Sequence, residues 1–166
     1  MINGAHLHLL LNHVPILGSV FAMVLLAFGY FMWNDTLSKA ALWTLVVVSL
    51  IAIPAFLSGE EAEHVVEDRP GISNTQIHEH EEQAEIAFWA LMCSGAIALG
   101  TLLASMKTQT VNRTLLFLNM VFITGTFALM ARTGNSGGAI RHPEIQSAAD
   151  SGGQASGDTE HEEEHE

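Results

Sequence analysis

Four long runs without a charged side chain constrain the fold of this sequence more than any other feature. The runs are residues 1–34, 40–59, 86–106 and 114–131. A helix needs roughly 18 to 25 mainly apolar residues to cross the hydrocarbon core of a bilayer, and each run is at least about that long. The sequence therefore predicts an all-α integral membrane protein, folded as an up-down four-helix bundle with short connections.

The predicted bundle is one membrane domain, over residues 1–133. Its spans are expected at residues 14–33, 40–58, 86–106 and 114–132. Asn12 is suited to be the amino-terminal cap of the first span, because its side chain can accept a hydrogen bond from the first turn. Small side chains in the third and fourth spans should let helix backbones approach closely. They are Ser94, Gly95, Ala98, Gly100 and Gly125.

Two polar segments complete the expected organisation. The acidic stretch 59–76 is predicted as a loop, and the third helix is expected to begin in water near His78, before its apolar run starts at Ile86. The chain after the bundle, residues 134–166, is rich in glycine, serine and acidic side chains. Such a segment buries too little apolar area to offset the entropy of ordering, so we predict a mostly disordered acidic tail.

The formal net charge of −12 is concentrated rather than spread. Apart from Asp35, the acidic side chains lie within residues 60–85 and 144–166. The chain has no basic patch, which argues against nucleic acid as a partner, whereas an acidic surface suits metal cations or a basic protein.

Since Cys93 is the single cysteine, an internal disulfide and a cysteine-based metal site are excluded.

An even number of spans brings most of the histidines to one face of the membrane. In an up-down bundle, the start of the first helix, the end of the second, the start of the third and the end of the fourth share one face. These positions hold His6, His8, His13, His64, His78, His80 and His142, with Glu60, Glu61, Arg132 and Arg141 beside them. The opposite face holds Asp35, Lys39, Lys107 and Arg113. The sequence thus predicts a histidine cluster at one face.

Among these histidines, His13 has the most unusual setting. A long apolar stretch follows it directly. Placing an ionisable side chain in an apolar membrane segment costs about 2 to 3 kcal/mol of free energy unless it has a hydrogen-bond or charge partner. Residues of this kind tend to be functional. We also favour a role for His142, which follows the segment 135–141 rather than lying in the acidic tail proper.

Two short motifs carry a resemblance to a known family. "HLLLNHVPI" covers His8 to Ile16, and "GGAIRH" covers Gly137 to His142. They resemble the bacterial four-helix membrane family named domain of unknown function 2231, whose members open with His-Pro-x-x-x-His-Phe-Pro-Ile and close with Gly-Gly followed by a histidine. The resemblance implies that His8 and His13 are the family's paired histidines.

The same resemblance implies a third histidine at the start of the third helix, where His78 or His80 fits, and a last one at His142. Some relatives are fused to cytochrome c domains, which implies a place in respiratory electron transfer. The chain departs from the family pattern, because no proline follows His8 and Val14 stands where Phe is usual. Its acidic segments around 59–67 and 78–85 are not general in that family, so we expect a distinct subgroup.

One hypothesis for the histidine cluster is a haem b centre. Imidazoles from facing helices of a bundle can ligate haem iron axially. The candidate ligand pairs are His13 with His142, or His8 with His78 or His80. Arg132 and Arg141 could neutralise the haem propionates. The protein would then relay electrons.

A second hypothesis is a non-haem transition-metal site. The ligands would be His13, His142, His64, Glu60 and Glu61. Glu61 lies three residues before His64 and Glu60 four before it, so that on a helix they share one face, as in carboxylate-bridged di-iron bundles. A site of this kind, outside the apolar run, favours a wet zinc or copper centre.

A third hypothesis is non-catalytic: an accessory subunit whose acidic face docks a cytochrome or a respiratory complex. The sequence shows no nucleophile with a base and no phosphate-binding loop, so an electron carrier or accessory subunit is favoured over a stand-alone enzyme.

We expect a multi-pass protein of the bacterial inner membrane. Both termini should lie on one side of the membrane, in the periplasm. The amino-terminal segment is uncharged and can be translocated at little cost in free energy, and the opposite face of the bundle is net basic.

Overall fold

The computed structural model describes residues 4–66 and 74–141, and within them every regular element is a helix. The helices are α1 Gly4–Leu11, α2 His13–Phe31, α3 Asp35–Leu57, α4 Gly59–Val66, α5 Asn74–Thr108 and α6 Arg113–Arg141. Four helical stretches are long and apolar enough to cross a membrane: His6–Phe31, Asp35–Leu57, Asn74–Thr108 and Arg113–Gly138. The prediction of an all-helical chain with four candidate spans is confirmed.

The four long helices pack in a ring, in which α2 contacts α3 and α6, and α5 contacts the same two helices. The start of one helix lies beside the end of its neighbour. On α2 and α3, Gly29 lies against Ser38 and Gly18 against Val48. On α5 and α6, Thr133 donates to the Gln83 carbonyl at 3.0 Å. Adjacent helices therefore run antiparallel.

This arrangement gives the molecule two distinct ends. We call the end formed by residues 6–13, 55–66, 74–85 and 132–141 the histidine end. The opposite end, formed by residues 29–39 and 105–113, is called the basic end. The short helices α1 and α4 pack against each other at the histidine end, and α1 also contacts α3.

Small and hydroxyl side chains allow the close contacts inside the ring. Gly95 is buried and its backbone abuts Ser49 on α3. Between α5 and α6, the hydroxyls of Ser94 and Thr126 lie 2.8 Å apart. Gly100 and Gly125 were predicted to serve the same purpose, but this was wrong: both are exposed, and an added Cβ would meet nothing within 4 Å.

The first candidate span begins at His6, earlier than the expected residue 14. Its first part belongs to the separate helix α1, and α2 begins directly at His13. Asn12, predicted as a cap, has helical dihedral angles and makes no side-chain cap hydrogen bond. The cap prediction failed because the preceding residues are already helical, so the Asn12 N–H donates to the His8 carbonyl at 2.9 Å.

The polar segments are more helical than predicted. The expected loop after α3 contains α4, and α5 begins at Asn74 rather than near His78. The fourth span continues past the expected end at Arg132 as far as Arg141. Contacts with α5 account for this extension, because tertiary packing overrides the low helix propensity of glycine. The rest of the predicted tail, residues 142–166, lies outside the described residues.

Candidate imidazole site at the histidine end

His8 is half-buried where α1 meets the end of α3. Its Nδ1 lies 2.9 Å from the carbonyl oxygen of Ala55. This carbonyl belongs to the last turn of α3, where a helix runs out of its own N–H donors. Since a carbonyl can only accept, Nδ1 of His8 donates the hydrogen bond, and in the neutral ring the lone pair stays on Nε2.

His80 occupies a matching position on α5. Its Nδ1 lies 3.0 Å from the Ser136 hydroxyl on α6. That hydroxyl donates its own hydrogen to the Thr133 carbonyl at 3.0 Å, so its oxygen accepts from Nδ1 of His80. The neutral His80 ring therefore also keeps its lone pair on Nε2.

Each imidazole lies beside a glycine. A Cβ added to Gly59 would lie 3.7 Å from Nδ1 of His8, an ordinary contact. A Cβ added to Gly137 would lie 2.9 Å from Cε1 of His80, closer than real contacts allow. The backbone of α6 thus reaches the His80 ring only because residue 137 has no side chain.

The two imidazoles are close enough to influence each other's charge. His80 precedes the apolar run that begins at Ile86, and it is half-buried where α5 packs against α6. Burial lowers the pKa of His80 below its ordinary value of 6.5, and the charge of His8 lowers it further, whereas a hydrogen bond to the Thr133 backbone raises it. The neutral imidazole, which is the form that binds metals, is therefore favoured.

Two side-chain amides next to these histidines have an unusual environment. Asn12 lies one helical turn after His8, and Gln83 one turn after His80. The Oδ1 of Asn12 and the Oε1 of Gln83 are both buried and have no hydrogen-bond partner. Buried polar atoms in proteins nearly always have a partner, so each exception calls for an explanation.

The other proposed ligands are not gathered with this pair. His13 is exposed at the start of α2, and Glu60, Glu61 and Arg132 are exposed as well. His78 is exposed, with its ring nitrogens 3.6 Å from Glu81 and 3.5 Å from Glu82. Among the described residues, no three side chains of His, Cys, Asp or Glu form a group that could hold a metal ion.

Three of the predicted positions lie at or beyond the limits of the described residues. The backbone of α4 is helical through His64, as the Glu-x-x-His spacing requires. For His64 and Arg141 only the helical backbone is described, and His142 lies outside the described residues. Of the proposed haem ligand pairs, His8 with His80 is the one whose charges influence each other at the histidine end.

Comparison with known proteins adds no relative. No family model matches the chain, and neither the curated proteins nor the solved structures contain a match.

Proposed function

We propose that the chain is a multi-pass membrane protein that holds a redox-active transition metal through His8 and His80. The metal is the iron of haem b or a bare ion, and the protein relays electrons through it. The observation that carries this proposal is that the imidazoles of His8 and His80, both at the histidine end, are in the same hydrogen-bonding state. Each has its Nδ1 engaged by an acceptor, and each keeps a lone pair on Nε2.

This arrangement is the one that metal-ligating histidines use. A hydrogen bond from the second ring nitrogen fixes the tautomer and orients the ring toward the metal. Two imidazoles are enough for haem, since the porphyrin supplies the other four nitrogens and axial ligands tune the potential of the iron. When bound, haem would supply one-electron chemistry, and Arg132 lies at the same end, where it could pair with a propionate.

For the membrane arrangement, we propose four crossings in an up-down bundle, with the histidine end in the periplasm. Lys39, Lys107 and Arg113 at the basic end fit a cytoplasmic face. Reporters fused to the two termini of the full chain would test this. Periplasmic activity of both supports the arrangement, whereas reporters in different compartments would exclude four crossings.

The test of the metal centre is an absorption spectrum and an elemental analysis of the protein purified from membranes. A Soret band that shifts on reduction indicates haem, and a stoichiometric metal without that band indicates a bare ion. His8→Ala and His80→Ala should each abolish the bound metal. His13→Ala and His78→Ala are matched controls, because these exposed histidines lie on neighbouring turns of the same segments.

The opposite result would reject the centre. If the protein purifies without any metal and takes up neither haem nor metal ions, no such centre exists. If metal binds but is unaffected by substitution of His8 and His80, the ligands lie elsewhere, and His13 and His142 become the next pair to test.

A second candidate function is docking of a basic electron-transfer partner at the same end. Exposed carboxylates surround the histidine end on α4 and α5: Glu60, Glu61, Glu79, Glu81, Glu82 and Glu85. Complementary charge speeds association and makes it sensitive to salt. A basic cytochrome c should therefore bind the protein in low salt and dissociate as salt is raised, and equal retention at all salt concentrations would reject this docking.

A further inference from the structure

We propose that the basic end binds an anionic phospholipid, whose phosphate contacts Lys39 and Lys107 and whose acyl chains lie along the outer faces of α3 and α5. This surface lies at the opposite end of the bundle from the imidazoles, so the proposal is independent of the metal centre. It rests on insertion of the four candidate spans into a bilayer, and it holds for either orientation of the protein.

The basic end is a cationic region of a strongly acidic chain. Its charged side chains are Asp35, Lys39, Lys107 and Arg113, whereas the whole sequence has a net charge of −12. The Asp35 carboxylate is already used, since its Oδ1 accepts from the Val111 N–H at 3.3 Å. Within residues 4–66 and 74–141, neither lysine forms an ion pair with a carboxylate. Positive charge of this kind at a membrane surface attracts anionic headgroups.

The two lysines, rather than the arginine, have donors left for a phosphate. Arg113 is bound to the end of α2, where it donates to two backbone carbonyls and its guanidinium lies over the rings of Tyr30 and Trp33. Lys39 uses one hydrogen bond within the protein, and an ammonium group has three donors. Lys107 is exposed in the last turn of α5.

A direct contact joins the helix ends that carry the two lysines. Nζ of Lys39 lies 2.9 Å from the carbonyl oxygen of Gln109. Lys107 precedes Gln109 by two residues, at the end of α5. The contact between α3 and α5 continues inward along the bundle, where the backbone of Gly95 abuts Ser49. Both lysines therefore belong to one junction of neighbouring helices.

An exposed stripe runs inward from Lys39 along α3. Trp43, Val47 and Leu50 follow at intervals of four, four and three residues, which keeps side chains on one face of a helix. They are 55%, 50% and 56% exposed. Tryptophan is enriched at membrane interfaces, because its ring is apolar and its N–H can donate to polar lipid groups. Trp43, one turn inside Lys39, is placed for this role.

A second stripe runs inward from Lys107 along α5. Leu103 and Leu99 precede this lysine by four and eight residues, and they are 56% and 39% exposed. Because α3 and α5 are antiparallel neighbours, each stripe has its lysine at the basic end and its apolar side chains toward the middle of the bundle. A pair of ammonium groups above two apolar stripes is complementary to a phospholipid, whereas a free phosphate would use the lysines alone.

The charges also indicate which headgroup is preferred. Lysine binds phosphate as a point charge, and basic sites between transmembrane helices bind anionic headgroups. A zwitterionic headgroup carries a cation of its own, which Lys39 and Lys107 repel. We therefore expect preference for phosphatidylglycerol over phosphatidylcholine with the same acyl chains.

The test is a lipid titration of the full-length protein in detergent, with lipid-bound protein counted by native mass spectrometry. The first equivalent of phosphatidylglycerol should bind the wild type at least about tenfold more tightly than phosphatidylcholine does. Lys39→Gln and Lys107→Gln should each weaken phosphatidylglycerol binding by about fivefold, and the double variant by about 25-fold.

Two variants control for effects other than charge at this junction. Lys39→Arg keeps the cation and its donors, so it should bind phosphatidylglycerol as the wild type does. Arg132→Gln removes an exposed cation at the histidine end, where exposed carboxylates repel anionic lipid, and it should also leave the affinity unchanged. Glycerol phosphate, a headgroup without acyl chains, should not compete with the lipid at equal concentration. Circular dichroism and gel filtration establish that each variant is folded.

Contrary results would overturn the lipid site in distinct ways. Equal binding of the two lipids, wild-type affinity in the double variant, or an equal loss in Arg132→Gln would each show that Lys39 and Lys107 hold no lipid. Competition by glycerol phosphate as strong as that of the lipid would show that the apolar stripes take no part. These results leave the metal centre standing, because its metal content is measured separately. Recovery of the chain in the soluble fraction would reject membrane insertion and the lipid site together.

Discussion

The two ends of the bundle differ in how completely their polar groups are paired. At the basic end, Arg113 donates to the carbonyls of Gly29 and Tyr30 in the last turn of α2, and its guanidinium lies 4.1 Å from the Tyr30 ring and 4.0 Å from the Trp33 ring. Lys39 likewise donates to the Gln109 carbonyl at 2.9 Å. These side chains satisfy helix ends that would otherwise lack partners.

The histidine end leaves comparable groups open. Asn12 makes no cap bond, its Oδ1 and the Oε1 of Gln83 are buried without a donor, and His8 and His80 each use a single ring nitrogen in the contacts described above. The comparison shows that the same kinds of side chain are paired at the basic end and leave buried acceptors unpaired at the histidine end. Substitutions at the basic end should therefore affect stability, and those at the histidine end should affect metal binding.

The largest effect is expected from Gly29→Val at the basic end. A Cβ at this position would lie 2.7 Å from the backbone nitrogen of Ser38 and 3.0 Å from its Cα. Because backbone atoms cannot move aside cheaply, we expect a loss of about 3 kcal/mol or more in the free energy of unfolding. Chemical unfolding in detergent measures it. Gly125→Val is the control, and an equal loss there would show that the close contact at Gly29 is not the cause.

Arg113→Gln should have the next largest effect. It removes charge-assisted hydrogen bonds to two helix-end carbonyls and the contacts with two aromatic rings, which together should lower the free energy of unfolding by about 2 to 3 kcal/mol. The exposed Arg132→Gln at the histidine end should change it little. Metal affinity should not change in Arg113→Gln, and a drop in affinity on loss of Arg113 would contradict the separation of the two ends.

Two asparagine substitutions, one at each end, are expected to change the free energy of unfolding in opposite directions. The Oδ1 of Asn34 accepts from the Leu37 N–H at 3.0 Å and caps α3, so Asn34→Leu should destabilise the protein by about 1 kcal/mol. Asn12→Leu removes a buried acceptor that has no donor, and should stabilise the metal-free protein by about 1 kcal/mol. Thermal unfolding of both variants would test this, and destabilisation by both would indicate that Asn12 is structural.

The smallest effect concerns pH. Since the pKa of His80 is lower in the folded protein than its ordinary value of 6.5, the unfolded chain binds the proton more readily. The contribution of this residue to stability is therefore present above pH 6.5 and is lost as the pH falls toward the lower, folded pKa. When the pH is lowered from 7.5 to 5.5, the melting temperature of the metal-free wild type should decrease. The decrease should be smaller in His80→Gln. His78→Gln should keep the full dependence; a reduced dependence there would contradict this account.

The sequence predicts the fold well because one physical constraint dominates it. Charge-free runs long enough for a bilayer give four candidate spans, and all four are present. The boundaries were less predictable where packing outweighs local signals. The glycines around Gly137 read as the start of a tail, yet α6 continues through them because Ser136 and Gly137 contact His80.

Prediction of the site was limited for a related reason. His8 and His80 could be named from the sequence as one of several candidate pairs, since span counting places them at one end. The hydrogen-bond partners of these histidines could not be predicted from the sequence. The acceptor for His8 is the backbone carbonyl of Ala55, and a backbone group leaves no signature in the sequence. Gln83 follows His80 by three residues, and this spacing is the one signal that could have drawn attention to it.

The ring of helices has a consequence for biogenesis. Along the chain, α2 with α3 and α5 with α6 are two helical hairpins that also contact each other. His8 precedes the first hairpin and His80 belongs to the second. In the proposed centre, neither half of the chain alone would therefore offer both imidazoles to a metal ion.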